Sequence, residues 1–77
     1  MTVIEFDGYE VRNHLNDKKV FIPAKGSSSR KCPRIVVKFA QKWRKDAIEQ
    51  GTDENTAREK IKIYGVKNNM VVWAARN

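Results

Sequence analysis

The chain has 77 residues and a formal net charge of +7 at pH 7, a length that allows one small domain with a small core. Charged residues make up 32% of the sequence and hydrophobic residues 40%, a composition compatible with a folded domain rather than a disordered tail. No apolar run is long enough to cross a membrane, and the opening MTVIEFDGYE lacks the regions of a signal peptide. We therefore expect residues 1–77 to form a single domain of a cytoplasmic, intracellular protein without a membrane partner.

The residues that most often carry catalysis or bind metals are few and scattered. Cys32 is the single cysteine, so an internal disulfide is impossible, and His14 is the single histidine. Zinc sites need clusters of these residues, and a nucleophilic Cys–His pair has less support here than a packed cysteine and a surface histidine. The carboxylates have no spacing that predicts an acid/base pair. The sequence thus predicts no catalytic residues, no metal site, no cofactor and no enzymatic activity.

The N-terminal part of the chain has the pattern of short strands and turns. Residues 2–6 are typical of a strand, and Asp7-Gly8 is the strongest two-residue signal for a hairpin turn. Residues 9–15 predict a second strand, residues 16–18 a turn and residues 19–23 a third strand. We expect a three-stranded antiparallel meander whose apolar face must be covered by another element.

The next stretch, from Ala24 to Cys32, predicts a surface loop because it contains Gly26 and three serines. It carries Arg30 and Lys31 and leads into the start of a helix, where free N–H groups and the helix dipole favour anions. The sequence leaves two interpretations open: an anion-binding loop, or a flexible connector that is merely basic.

A long amphipathic helix is predicted from near Pro33 to Gly51. Proline suits the first helical turn, and glycine favours the conformation found just past a helix end. Apolar residues recur at steps of three and four and should cover the sheet: Val36, Phe39, Ala40, Trp43 and Ala47. At about 100° per residue, the opposite side carries Arg34, Lys38, Lys42 and Lys45.

The positive charge of the protein is concentrated around this helix. Residues 26–45 hold seven basic residues and no acidic one, while the charges in the rest of the chain cancel. Lysines ordinarily occupy solvated faces, but a helix stabilised by its own ion pairs would place carboxylates one turn away. The repulsion among like charges on one face favours an anion-binding role.

The C-terminal part predicts a second helix and a strand. Thr52 or Asp53 can cap a helix that we expect to run through about Tyr64. A competing interpretation makes Lys60 to Val66 a strand, because isoleucines alternate with lysines there. Residues 67–69 predict a turn and residues 70–74 a strand. The predicted fold class is therefore α+β, with the meander packed on a long basic helix, followed by a short second helix and a C-terminal strand.

Two resemblances concern DNA-binding proteins. Ala47, Gly51 and Ala57 have a spacing similar to that of helix-turn-helix proteins, but Asp53 and Glu54 would open the second helix, where phosphates would be repelled. A three-stranded sheet packed on one helix resembles the small DNA-binding domains at the N-termini of some integrases. The second resemblance is one of architecture, which does not fix function.

These patterns predict a small basic protein that binds nucleic acid, with DNA favoured over RNA. Phosphate contacts would come from the helix and the preceding loop, through Arg30, Lys31, Arg34, Lys38, Lys42 and Lys45. The alternative is a small regulator or inhibitor, of the kind found as accessory proteins in phages and mobile elements, that docks on an acidic protein surface. Val37 and Ile48 lie off the main apolar stripe and favour this alternative slightly.

Overall fold

The computed structural model of the chain describes residues 5–27 and 32–75, which form four strands and two helices. In chain order these are β1 (Phe6–Asn13), β2 (Lys18–Ser27), α1 (Arg34–Glu49), α2 (Glu54–Lys60), β3 (Ile61–Lys67) and β4 (Met70–Ala74). All pairings are antiparallel and the strand order is β2-β1-β3-β4. The α+β class is confirmed, while the predicted three-stranded meander is replaced by a four-stranded sheet built from two hairpins.

The hairpin predicted at Asp7-Gly8 is wrong, because β1 runs through both residues. The register shifts between Phe6, opposite Ser27, and Gly8, opposite Pro23, so a bulge occupies this position. The Asp7 carboxylate accepts a hydrogen bond of 2.8 Å from the N–H of Asn68, in the β3–β4 turn. The Asp7 side chain therefore links the bulge in β1 to the β3–β4 turn. Residues 2–4 of the predicted first strand lie outside the described residues.

The core lies between α1 and one face of the central strands. Fully buried side chains on that face include Tyr9, Val11 and Ile61, and α1 faces them with small residues. The buried positions of α1 are Val36, Ala40 and Ala47. Neighbouring residues of a strand point to opposite faces of the sheet. The side chains between these buried ones therefore lie on the other face, which α1 does not cover.

Phe39 and Trp43 were predicted to be buried against the sheet, but each is half-buried. Their ring centroids are 5.1 Å apart, so the two side chains pack on each other at the margin of the core. The indole of Trp43 lines a groove with Leu15 and Lys18, beside the β1–β2 turn. The alanines, not the aromatic residues, bring α1 close to the centre of the sheet.

The second helix ends at Lys60, so the prediction that it continues through about Tyr64 is wrong and the competing strand is right. The Asp53 carboxylate caps α2 by accepting a hydrogen bond of 3.1 Å from the N–H of Asn55. The chain then enters β3, where Ile61 pairs with Asn13. The predicted final strand is confirmed, and its turn has Asn68 and Asn69 at φ of +52° and +63°.

The limits of α1 agree with the sequence signals. Pro33 occupies the N-cap position, and Gly51, just past the helix, has a φ of +100°. The predicted loop from Ala24 to Cys32 is shorter, because β2 continues to Ser27. Residues 28–31 lie outside the described residues.

Candidate nucleic-acid interface

Four cationic side chains lie along the side of α1 that faces away from the sheet. Arg34, Lys38, Lys42 and Lys45 are all exposed, and we call them the basic stripe. At 1.5 Å per residue, the stripe extends over about 16 Å of helix axis. In the part of the chain that the structure describes, ion pairs join Arg12 to Glu10 and Arg58 to Glu54, and none includes a residue of the stripe.

The positive potential of the basic stripe is not uniform along the helix. Asp46 and Glu49 lie four residues after Lys42 and Lys45, which places a carboxylate one turn away from each lysine. Arg34, with Lys38 one turn after it, has no such neighbour on α1. The N-terminal half of the stripe is therefore its most positive part.

The start of α1 adds to this potential. The N-cap residue Pro33 makes no side-chain capping bond, and the first turn contains no acidic residue. The helix dipole places a partial positive charge at this end, next to the Arg34 guanidinium. The two loop residues predicted to act with it, Arg30 and Lys31, lie outside the described residues.

Arg44 is a basic residue of the same segment that does not belong to the basic stripe. Its side chain is half-buried and turned toward β3, where it bonds to the backbone. Burial, together with the charge of Arg58, lowers the pKa of its guanidinium. The apolar period already indicated this placement, because position 44 lies between Ala40 and Ala47 on the inner side of the helix.

His14 and Cys32 have separate surroundings. His14 Nε2 lies 3.1 Å from the hydroxyl oxygen of Tyr64, within hydrogen-bonding distance. Cys32 packs against the core, and burial raises the pKa of its thiol. Within residues 5–27 and 32–75, no group of three His, Cys, Asp or Glu side chains lies close enough together to hold a metal ion.

A second basic surface is not evident from the sequence. Arg12 on β1 lies directly opposite Lys19 on β2 and Lys62 on β3, so the three form a row across the sheet. By alternation, this row points away from the buried Val11 and Ile63 and lies on the face not covered by α1. We call this side of the sheet the open face. The three basic residues are neighbours only because of the register of the strands, which cannot be read from a single sequence.

Comparison of the chain with protein-family models, with curated proteins and with solved structures finds no significant match. Within the described residues, neither helix is both long and apolar enough to cross a membrane.

Proposed function

We propose that the protein binds nucleic acid, with DNA as the first candidate, through the basic stripe of α1. The observation that supports this proposal is the exposure of four cations on one helix face without ion pairs among the described residues. Repulsion at i,i+4 spacing costs a few tenths of a kcal/mol per pair, on the order of 0.2–0.5. A polyanion would relieve that repulsion, whereas folding alone gains nothing from it.

The stripe would contact phosphates rather than bases. Arg34 can donate two parallel hydrogen bonds to a phosphate, while Lys38 and Lys42 act as mobile point charges. Arg30 and Lys31, immediately before the helix in sequence, would extend the same contact surface. Such contacts release counterions and position the protein on the backbone, so affinity would be largely independent of base sequence and would fall with salt.

A second candidate is docking on an acidic protein surface. Three exposed apolar residues flank the basic stripe: Ile35 is 63% exposed, Val37 36% and Ile48 43%. A mixture of apolar contacts and cations is typical of protein interfaces, where charge speeds association and sets orientation. This candidate uses the same helix face, so binding measurements must separate the two partners.

The test compares two triple variants with the same net charge. Replacing Arg34, Lys38 and Lys42 by Gln lowers the formal charge from +7 to +4 and keeps good helix formers. The control replaces the exposed Lys25, Lys60 and Lys67 by Gln and reaches the same +4. Affinity for a short DNA duplex is measured by fluorescence anisotropy at low salt.

We expect the stripe variant to lose at least about tenfold in affinity, and the control variant to lose much less. Equal losses in the two variants would show that only net charge matters and would contradict the stripe. A wild type that hardly binds DNA at physiological salt, but binds an acidic protein, would favour the second candidate.

A further inference from the structure

The open face of the sheet carries a concentration of like charge that the fold does not need. Three neighbouring strands each place one cation side by side there: Lys19, Arg12 and Lys62. The outer two are two strand spacings apart, or about 10 Å. Like charges directly opposite each other in a sheet are destabilising. Glu10 forms an ion pair with Arg12. This carboxylate compensates one of the three charges, so the charges of Lys19 and Lys62 remain.

The adjacent row on the open face carries two aromatic side chains. Glu10 lies between Phe21 on β2 and Tyr64 on β3, so the two rings are two strands, or about 10 Å, apart. Phe21 is 46% exposed, which is unusual for a phenylalanine in a sheet. An aromatic row thus runs parallel to a cationic row on one surface.

Both rings are held in place by specific neighbours. A Cβ added at Gly8 would lie 2.5 Å from the Phe21 ring, so the glycine allows this ring to lie close against the β1 backbone. The Arg12 guanidinium lies 5.0 Å from the centroid of the Tyr64 ring, and His14 meets the same ring edge-on at 6.3 Å. The Phe21 ring is therefore held in place with its surface exposed, while the Tyr64 ring supports the guanidinium of Arg12.

We propose that the open face is a second binding surface, which takes single-stranded nucleic acid. One base would stack on the Phe21 ring and another on the Arg12 guanidinium that covers the Tyr64 ring, while phosphates contact Lys19 and Lys62. A duplex does not fit this chemistry, because its bases are already stacked on one another. The proposal rests on nucleic acid being the partner, but it does not require the basic stripe, which lies on the other side of the molecule.

The opposite placement of the two surfaces allows a matched experiment. Lys19→Gln with Lys62→Gln removes two charges from the open face, and Lys38→Gln with Lys42→Gln removes two from the basic stripe. Both variants have a formal charge of +5, two less than the wild type. Each is titrated against an oligo(dT) strand of about 12 nucleotides and against a duplex of similar length. Circular dichroism confirms that each variant is folded.

A third variant tests the stacking directly. Phe21→Leu keeps an apolar side chain over Gly8 and removes the aromatic ring, and Phe21→Tyr serves as the conservative rescue. We expect Phe21→Leu to weaken oligo(dT) binding by about tenfold, since one base loses the aromatic ring on which it stacks. Its affinity for the duplex should stay unchanged, and Phe21→Tyr should bind oligo(dT) nearly as the wild type does.

The wild-type protein supplies a readout that needs no substitution. On addition of oligo(dT), the NMR resonances of the Phe21 ring protons should shift upfield as a base stacks on the ring. Unmoved ring resonances, or equal oligo(dT) affinity for wild type and Phe21→Leu, would overturn the proposal. The basic stripe would still stand if the Lys38 and Lys42 variant lost duplex binding. A wild type that binds neither probe would overturn both proposals.

Discussion

The guanidinium of Arg44 donates two hydrogen bonds to the carbonyl oxygen of Ile61, with distances of 3.3 Å from Nε and 2.9 Å from Nη2. Ile61 is fully buried and stands where α2 ends and β3 begins. A cationic side chain of α1 thus satisfies a carbonyl at a helix terminus, where the dipole favours positive charge. This contact ties α1 to the point at which the chain enters the sheet.

Removing the Arg44 contact should destabilise the protein. We expect Arg44→Leu to lower the free energy of unfolding by about 1.5–3 kcal/mol, because hydrogen bonds from a charged donor are lost. Arg44→Lys should recover part of this, since an ammonium can donate to the carbonyl at one point only. Urea denaturation gives the values, with the neighbouring exposed Lys45→Ala as a control that should change stability by less than about 0.5 kcal/mol. An Arg44→Leu protein as stable as the wild type would contradict this role.

Two aromatic residues should differ in their contribution to stability according to their burial. Tyr9 is fully buried in the core, whereas Trp43 is half-buried beside the β1–β2 turn. Complete truncation of a buried aromatic side chain costs about 3–5 kcal/mol, so Tyr9→Ala should cost that much and Trp43→Ala about half. Chemical denaturation of the two variants checks the order. A larger loss for Trp43→Ala would mean that α1 packs on the sheet mainly through its aromatic edge.

The limits of α1 and the final strand could be predicted because their signals are local. Pro33, Gly51 and the Asn68-Asn69 turn each act through the conformation of their own backbone. The end of α2 could not be predicted, because the pattern of residues from Lys60 to Val66 fits a helix and a strand alike. Pairing of Val11 with Ile63 and the bond from Arg44 decide in favour of the strand.

The candidate surfaces show the same division. Exposure of the basic stripe follows from helical periodicity, so Arg34, Lys38, Lys42 and Lys45 could be placed together from the sequence. The basic row of the open face could not be predicted, since the register of three strands is what brings Lys19 and Lys62 to either side of Arg12. Asp7-Gly8 forms no turn for a related reason: Gly8 pairs with Pro23 on β2 and Val66 on β3, and these long-range contacts outweigh the local preference for a turn.

Alkaline conditions should weaken the fold through the Tyr9 hydroxyl and the Cys32 thiol. Burial raises the pKa of the Tyr9 hydroxyl, with a smaller contribution from nearby Cys32, and burial also raises the pKa of the Cys32 thiol. In the unfolded chain these groups ionise at their ordinary values, about 10 and 8.5, so the unfolded state loses protons first. The stability that they contribute is complete below those values and is lost as pH rises through the folded pKa.

The measurement is the free energy of unfolding in urea at a series of pH values from about 7 to about 10.5. Wild-type stability should fall above about pH 8.5, and the fall should be shallower in a Tyr9→Phe variant, which has no hydroxyl to ionise. Identical pH dependence in the two proteins would show that Tyr9 does not contribute to this loss of stability.

Cys32 should be dispensable for binding. Its thiol is half-buried against the core and lies away from the exposed side of α1, so Cys32→Ser should cost only about 1 kcal/mol of stability. DNA affinity should be unchanged. Loss of affinity in a folded Cys32→Ser protein, or metal bound in equimolar amount to the purified wild type, would contradict this expectation.

The salt dependence of duplex binding tests the role of the basic stripe most directly. Each phosphate contact adds about 0.9 to the slope of log K against log salt concentration for duplex DNA. Replacing Arg34, Lys38 and Lys42 together by Gln should therefore reduce the steepness of that slope by up to about 2.7, while the fold is retained. A folded triple variant that binds duplex DNA with the wild-type affinity and the wild-type slope would contradict a nucleic-acid-binding role for the stripe.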